Sequence, residues 1–219
     1  MQRTRYKCNR NGGNWSVNNR MEKVKKSPLG LSFVINICIF VGLMFMFKPC
    51  YETSDDMYMN EFANGIFGQP ENHLVFINYI MGSIIQGLYK LLPVVNWYAF
   101  IQYISMFISF VVITHVFIQH KGMQFGGLLA TLVITVFGYQ GYIRPQFSKT
   151  AGVLVLAGAL LIFYAFKSEA QIWKKVLIGV MLMLTGGLFR DSVFWLCLLM
   201  AFPIGVVEFL RDFLKYKFK

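Results

Sequence analysis

Apolar residues dominate six stretches of the chain that are predicted to form helices crossing a lipid bilayer, the fifth of which is short. A helix of about 20 residues, at about 1.5 Å per residue, covers the roughly 30 Å of a bilayer core. The six predicted spans are Leu29–Phe47, Tyr98–Ile118, Gly126–Tyr142, Thr150–Phe166, Lys175–Phe189 and Ser192–Leu210. The pattern therefore predicts an all-α polytopic membrane protein with about six transmembrane helices.

A seventh stretch, Leu74–Leu92, is also long enough to span but carries a polar stripe. Asn78, Gly82, Gln86 and Lys90 recur at every fourth position within it. Positions four apart share one face of a helix, so the stretch is amphipathic and is expected to lie along the membrane interface. The hydrophobic pattern alone leaves open the alternative that it crosses the bilayer.

The distribution of charge favours the interfacial placement. The chain has 21 Lys and Arg residues against 10 Asp and Glu, a net charge of +11, yet only 14% of its residues are charged and 56% are hydrophobic. This composition excludes an ordinary soluble domain, and the basic residues are not gathered on a polar domain that would bind nucleic acid. With Leu74–Leu92 on the outer surface, 16 of the 21 basic residues face the cytoplasm, whereas 12 do so if the stretch spans. Lys and Arg prefer cytoplasmic loops, so the first topology is favoured.

This topology divides the chain into a central membrane module and two tails. Residues 1–28 form a basic cytoplasmic tail, residues 29–210 form the transmembrane module, and residues 211–219 form a second basic cytoplasmic tail. The outer loop 48–97 holds two interfacial helices, 55–67 and 74–92. We therefore expect a multi-pass protein of the cell membrane that contacts membrane lipids and has both termini in the cytoplasm.

The outer loop carries a pair of acids at the start of its first predicted helix. Thr53 followed by Asp56 fits a helix start, and Gly65 fits a helix end. Asp55 and Asp56 would then lie at the positive end of the helix dipole, which favours their ionised form. An ionised Asp can act as a base toward a hydroxyl or bind a divalent metal, with His73 as a further metal ligand. The alternative is that both acids simply cap the helix.

Three basic residues are exceptions to the cytoplasmic bias. Arg144, Lys149 and Arg190 lie in short connections on the predicted outer face. Their side chains could bind a phosphate at the depth of the lipid headgroups through charge-assisted hydrogen bonds. The alternative is ordinary anchoring to lipid headgroups.

The outer loop resembles the first loop of the GT-C glycosyltransferase superfamily, which includes protein O-mannosyltransferases and the aminoarabinose transferases of lipid A. The similar segments are ETSDDMYMNEFANG at 52–65, PENHL at 70–74, and LLPVVNWY at 91–98. The resemblance implies transfer of a sugar from a polyprenyl-phosphate donor to an acceptor on the extracytoplasmic face. It also implies that Asp55 or Asp56 is the catalytic base or a metal ligand. Arg144, Lys149 and Arg190 would be the candidates for the donor phosphate, from their position alone.

The number of spans differs from that of the family. Its members usually have eleven or more spans and often a soluble outer domain, whereas six are predicted here. We therefore expect either a truncated or split product, which would need a C-terminal partner chain, or a minimal relative. Two other functions stay open: a non-catalytic transporter or flippase subunit, and an assembly factor for envelope polysaccharide.

Overall fold

The computed structural model of the protein describes residues 27–167 and 171–217, without the side chains of 204 and 208–217. Eight helices follow one another along this part of the chain. They are α1 (Pro28–Met46), α2 (Ser54–Asn64), α3 (Tyr79–Leu91), α4 (Trp97–Lys121), α5 (Met123–Gly138), α6 (Phe147–Lys167), α7 (Ile172–Phe189) and α8 (Asp191–Lys217). A short π-helical turn, Tyr139–Ile143, continues α5. The all-α prediction is confirmed.

Five of the helices are long and apolar enough to cross a membrane: α1, α4, α5 with its π-helical turn, α6 and α7. They correspond to five of the six predicted spans. The sixth prediction falls on α8, whose described apolar part is Asp191–Val207. The predicted basic tail at 1–28 lies almost entirely outside the described residues, and the side chains of the tail at 211–219 lie outside them as well.

The two helices that were expected to lie along the membrane interface are shorter than predicted. The first covers Ser54–Asn64 instead of 55–67, because Gly65 adopts φ +81° and ends the helix in the left-handed region. The second covers Tyr79–Leu91 instead of 74–92, since residues 74–78 form turns before Asn78 accepts a hydrogen bond from the Ile80 N–H at 3.0 Å. Its 13 residues make about 20 Å of helix, which is too short to cross a bilayer core.

The polar stripe of α3 faces the chain that connects α2 to α3. Gln86 donates a hydrogen bond to the carbonyl of Pro70, and Asn72 donates one to the Ser83 hydroxyl at 3.3 Å. Gly82 lies directly under the carbonyl of Asn72, where a Cβ atom would come within 2.1 Å of the oxygen. The stripe thus fixes α3 to its own connecting loop.

One end of the bundle gathers α2, α3 and the adjacent helix termini, and we call it the α2 end. The Cys50 N–H donates to the carbonyl of Ile143 at 2.9 Å, and the Asn78 N–H donates to that of Leu188 at 3.1 Å. These bonds bring the π-helical turn to the loop that follows α1, and the last turn of α7 to the start of α3. The residues with candidate chemistry therefore lie at one end of the molecule.

Candidate functional site

The two neighbouring acids of α2 have opposite environments. Asp55 is exposed, and within the described chain its side chain makes no hydrogen bond or ion pair. Asp56 is fully buried on the face that α2 turns toward the bundle, together with Met59 and Ala63. The spacing of these three residues places them on one helix face. Adjacent residues on a helix point about 100° apart, which is why one acid meets solvent while the other meets protein.

Asp56 accepts hydrogen bonds from three different segments. Its Oδ1 accepts one from the Tyr98 hydroxyl at 2.8 Å and one from the Phe147 N–H at 3.1 Å. Its Oδ2 accepts one from the Thr53 hydroxyl at 2.8 Å. Burial raises the pKa of this carboxyl above its usual value, and these hydrogen bonds oppose that shift.

Asp56 lies at the N-termini of two helices at once. It belongs to the first turn of α2, and it accepts the N–H of Phe147, the first residue of α6. The first N–H groups of a helix have no partner within the helix, so a carboxylate there satisfies a donor and meets the positive end of the dipole. The carboxylate therefore caps α6. At the start of α2 it contacts only the Thr53 hydroxyl, and no side-chain hydrogen bond caps the backbone of α2.

The first turn of α6 makes many of the contacts at the α2 end, since four of its consecutive residues contact other segments. Phe147 reaches Asp56, and Ser148 accepts a hydrogen bond from the Arg190 guanidinium. Lys149 forms an ion pair with Glu52 and donates to Gln140 Oε1 at 3.0 Å. Thr150 donates to Gln102 Oε1 at 3.3 Å. This turn therefore connects α2, α4, the π-helical turn, and the junction of α7 with α8.

The three predicted phosphate-binding residues have different environments. Arg144 is exposed, and its side chain makes no hydrogen bond to the described residues. Lys149 is engaged by Glu52, with both side chains about a quarter to a third exposed. The Arg190 guanidinium lies over the rings of Phe147 and Phe76, at 5.0 and 5.5 Å from the centroids, and these two rings stack on each other. Only Arg144 among the three presents its charged group without a protein partner in the described chain.

Asp55 and Arg144 lie on two chain segments that backbone and side-chain contacts join. Residues 50–56 and 143–149 are connected by the Cys50–Ile143 backbone bond, the Glu52–Lys149 ion pair and the bond from the Phe147 N–H to Asp56. Asp55 and Arg144 lie within these two paired segments, and both are exposed. Both side chains are thus exposed on segments that are held together.

The predicted metal ligands do not form a group. His73 is exposed, with its ring 5.0 Å from that of Tyr79, and both oxygens of Asp56 already accept hydrogen bonds. Within the described ranges, no three His, Cys, Asp or Glu residues are placed to hold a metal ion together. The set of Asp55, Asp56 and His73 does not fit a divalent metal.

A second polar network, which the sequence patterns did not single out, joins the loop to α3 and α4. Asn96 donates from Nδ2 to the Tyr51 hydroxyl at 2.9 Å and accepts from the Tyr89 hydroxyl at 3.2 Å. The Tyr89 hydroxyl also lies against Asn60 of α2. Burial raises the pKa values of both Tyr51 and Tyr89, so their hydroxyls stay protonated hydrogen-bond donors at neutral pH.

Comparisons with known proteins give no relative: no family model, no curated protein and no solved structure matches this chain.

Proposed function

We propose that this protein is a membrane glycosyltransferase that moves a sugar from a polyprenyl-phosphate donor to an acceptor hydroxyl on the extracytoplasmic face. The proposal rests on the resemblance of the outer loop to GT-C enzymes and on one observation. That observation is the exposure of both Asp55 and Arg144, which lie on two chain segments that hydrogen bonds hold together.

In this proposal, Asp55 is the catalytic base. Its carboxylate takes the proton of the acceptor hydroxyl while the hydroxyl oxygen bonds to the anomeric carbon of the sugar. The bond from that carbon to the phosphate oxygen breaks, and the polyprenyl phosphate leaves with the electron pair. One displacement at the anomeric carbon inverts its configuration. Proton transfer by a well-positioned carboxylate is an ordinary contribution to such a reaction.

Arg144 binds the donor phosphate, and a guanidinium can make two parallel hydrogen bonds to phosphate oxygens. Arg190 is a second phosphate ligand, held in place by the rings of Phe76 and Phe147. Lys149 and Asp56 are positioning residues, since the first engages Glu52 and the second caps α6.

Native mass spectrometry of the detergent-purified protein tests the donor site. We expect polyprenyl phosphate to remain bound to the wild type and to Asp55→Asn, and to be lost in Arg144→Ala. Lys48→Ala is the matched control, because Lys48 is also an exposed cation at the α2 end. Equal retention of lipid by Arg144→Ala and Lys48→Ala would refute the phosphate site.

A transfer measurement tests the base. Membranes containing Asp55→Asn should form no glycosylated acceptor from a labelled polyprenyl-phosphate sugar, while the wild type should form it. Unchanged transfer by Asp55→Asn would remove Asp55 from the mechanism.

A second candidate function is a non-catalytic transporter, flippase subunit or assembly factor for envelope polysaccharide. The observation that favours it is the set of buried polar side chains inside the predicted spans, including Asn36 and Gln102. This candidate predicts bound lipid or polysaccharide without transfer in the wild type. The transfer measurement therefore separates the two functions.

A further inference from the structure

The end of the bundle opposite the α2 end is rich in lysine, and we call it the lysine end. Because α4 and α6 begin at the α2 end and α7 ends there, the other termini of these helices lie at the opposite end. Four lysines with described side chains lie at those termini. They are Lys121 at the end of α4, Lys167 at the end of α6, and Lys174 and Lys175 in the first turn of α7.

The two ends of the bundle differ in their balance of charge. At the α2 end, the described side chains include six acids and five basic residues, which are Glu52, Asp55, Asp56, Glu61, Glu71 and Asp191, and Lys48, Lys90, Arg144, Lys149 and Arg190. Among the described side chains of the lysine end there is no acid. The connection 168–170, outside the described residues, adds one acid by sequence, Glu169. Four lysines against one acid leave an excess of positive charge, which attracts anions.

The lysines of three helices converge at this end. The His120 ring of α4 stacks on the Tyr164 ring of α6, with the centroids 4.0 Å apart. Lys167 of α6 lies over the Phe163 ring, at 4.5 Å from its centroid. Lys167 and Lys175 both lie near enough to His120 for their charges to act on its imidazole ring. The positive charge is therefore gathered in one place.

Two of the lysines present their charge outward. Lys121 and Lys174 are exposed, and neither side chain forms a hydrogen bond or ion pair within the described chain. Lys174 borders an open depression of about 470 Å³, which it lines together with Gln171, Ile172 and Trp173. An ammonium group at the edge of such a depression can donate charge-assisted hydrogen bonds to a phosphate.

An apolar face of α7 begins beside Lys174. Trp173 is 85% exposed, and Leu177, Met181 and Leu184 are each more than half exposed. These residues are spaced i, i+4, i+8 and i+11, so they share one face of the helix. Since α7 is long and apolar enough to cross a membrane, this face can lie in lipid, with Trp173 at the interface that tryptophan prefers. A cation followed by an apolar face fits an anion that carries a hydrocarbon chain, and not a free phosphate.

We propose that the lysine end binds an anionic phospholipid, with its phosphate at Lys174 and an acyl chain along the exposed face of α7. The other lysines of this end add to the positive field around the headgroup. In the predicted topology the lipid belongs to the cytoplasmic leaflet, whose anionic lipids attract lysines next to the membrane. This inference is independent of glycosyl transfer, because Asp55 and Arg144 lie at the α2 end.

Quenching of tryptophan fluorescence by brominated lipids tests the place and the selectivity of binding. A variant that keeps only Trp173, with the other three tryptophans replaced by phenylalanine, is placed in phosphatidylcholine vesicles. Brominated phosphatidylglycerol, which is anionic, should bind near Trp173 at least about fivefold more tightly than brominated phosphatidylcholine. A second variant keeps only Trp97, at the α2 end, and should be quenched equally by the two lipids. Equal quenching of Trp173 by both lipids would overturn the proposal.

Native mass spectrometry tests the lysine in a protein that keeps all its tryptophans. Lys174→Gln should lower the affinity for phosphatidylglycerol about fivefold, which is the contribution of one lysine at an anionic surface. Lys90→Gln is the matched control, because Lys90 is also exposed but lies at the α2 end, and it should keep the wild-type affinity. An unchanged affinity in Lys174→Gln, or an equal loss in both variants, would overturn the site. Arg144→Ala should keep phosphatidylglycerol bound, so the donor site and this site are tested separately.

Discussion

The α2 end and the interface between α6 and α7 hold their segments together by different means. At the α2 end, polar contacts join segments far apart in the sequence, such as Asp56 with Phe147 and Glu52 with Lys149. Between α6 and α7, glycines allow the backbones to touch. A Cβ atom on Gly158 would come within 2.4 Å of the Gly179 carbonyl oxygen, and one on Gly186 within 2.8 Å of the Ala151 carbonyl oxygen.

The difference follows from the surroundings of each region. Lipid is as apolar as a leucine side chain, so helices within it associate through close packing and hydrogen bonds instead of the hydrophobic effect. At the end of the bundle, loops carry backbone groups that need partners, and a buried carboxylate can satisfy several of them. Added side-chain volume between α6 and α7 should therefore lower the free energy of unfolding. At the α2 end, the loss of a hydrogen-bond acceptor should lower it.

The largest effect is expected at Asp56. Asp56→Ala removes the acceptor of three hydrogen bonds and leaves the Tyr98 hydroxyl and the Phe147 N–H buried. We expect the free energy of unfolding to fall by about 3 kcal/mol. Titration with SDS, followed by tryptophan fluorescence in mixed micelles, measures the change. Asp55→Ala is the matched control and should change it by less than about 0.5 kcal/mol, because Asp55 is exposed. Equal losses of unfolding free energy in Asp56→Ala and Asp55→Ala would contradict the distinction between a buried and an exposed acid.

A smaller loss is expected from added volume between α6 and α7. Gly158→Ala places a Cβ atom against backbone, which is unable to move aside, and should lower the free energy of unfolding by about 2 kcal/mol. Gly152→Ala, on the same helix, meets only the Val193 side chain at 3.7 Å. It should be neutral or slightly stabilising, because Ala favours helix over Gly. The same titration in SDS compares the two variants. Equal free energies of unfolding would show that α6 and α7 do not approach closely at Gly158.

The helices were predictable from the sequence, whereas the partners of the acids were not. The apolar stretches predict the spans, and Gly65 marks the end of α2.

The face of α2 that is buried was only partly predicted. The helical spacing of the apolar residues at 58, 59, 62, 63, 66 and 67 indicates one apolar stripe. Of these residues, Met59 and Ala63 are buried, while Tyr58, Phe62, Ile66 and Phe67 are exposed. Asp56 lies on the inner face together with Met59 and Ala63, because donors on α4 and α6, 42 and 91 residues away in the sequence, form hydrogen bonds to its carboxylate. Periodicity holds no information about such distant partners.

The start of α3 illustrates the same limit. Residues 74–78 are apolar enough to extend a helix, but Leu74 and Ile77 are buried in turns instead. The loop that precedes them packs on α3 at Gly82, which lies against the Asn72 carbonyl. One signal was available for the polar interior: Tyr98, Gln102, Ser105 and Ser109 share one face of an otherwise apolar helix.

The third prediction concerns the pH dependence of stability. The folded pKa of Asp56 lies above its ordinary value of 3.8, so between these two values the folded protein binds more protons than the unfolded chain. The free energy of unfolding should therefore decrease as the pH rises through this window, by about 1.4 kcal/mol for each pH unit that separates the two pKa values. Asp56→Asn should remove this slope, and Asp55→Asn should keep it. Unfolding titrations from pH 4 to pH 7 measure the effect, and a slope retained in Asp56→Asn would assign it to another group.

The smallest effect is expected for the ion pair of Glu52 with Lys149. Its side chains are 30% and 26% exposed, and ion pairs open to solvent contribute about 0.2–1 kcal/mol, less when salt screens them. A double-mutant cycle with Glu52→Gln and Lys149→Gln should give a coupling energy in this range at low salt and a smaller one at high salt. A coupling energy well above 1 kcal/mol, unchanged by salt, would mean that the pair is shielded from water. The α2 end would then depend on this pair as well as on Asp56, and the contrast between a decisive buried acceptor and a dispensable surface pair would fail.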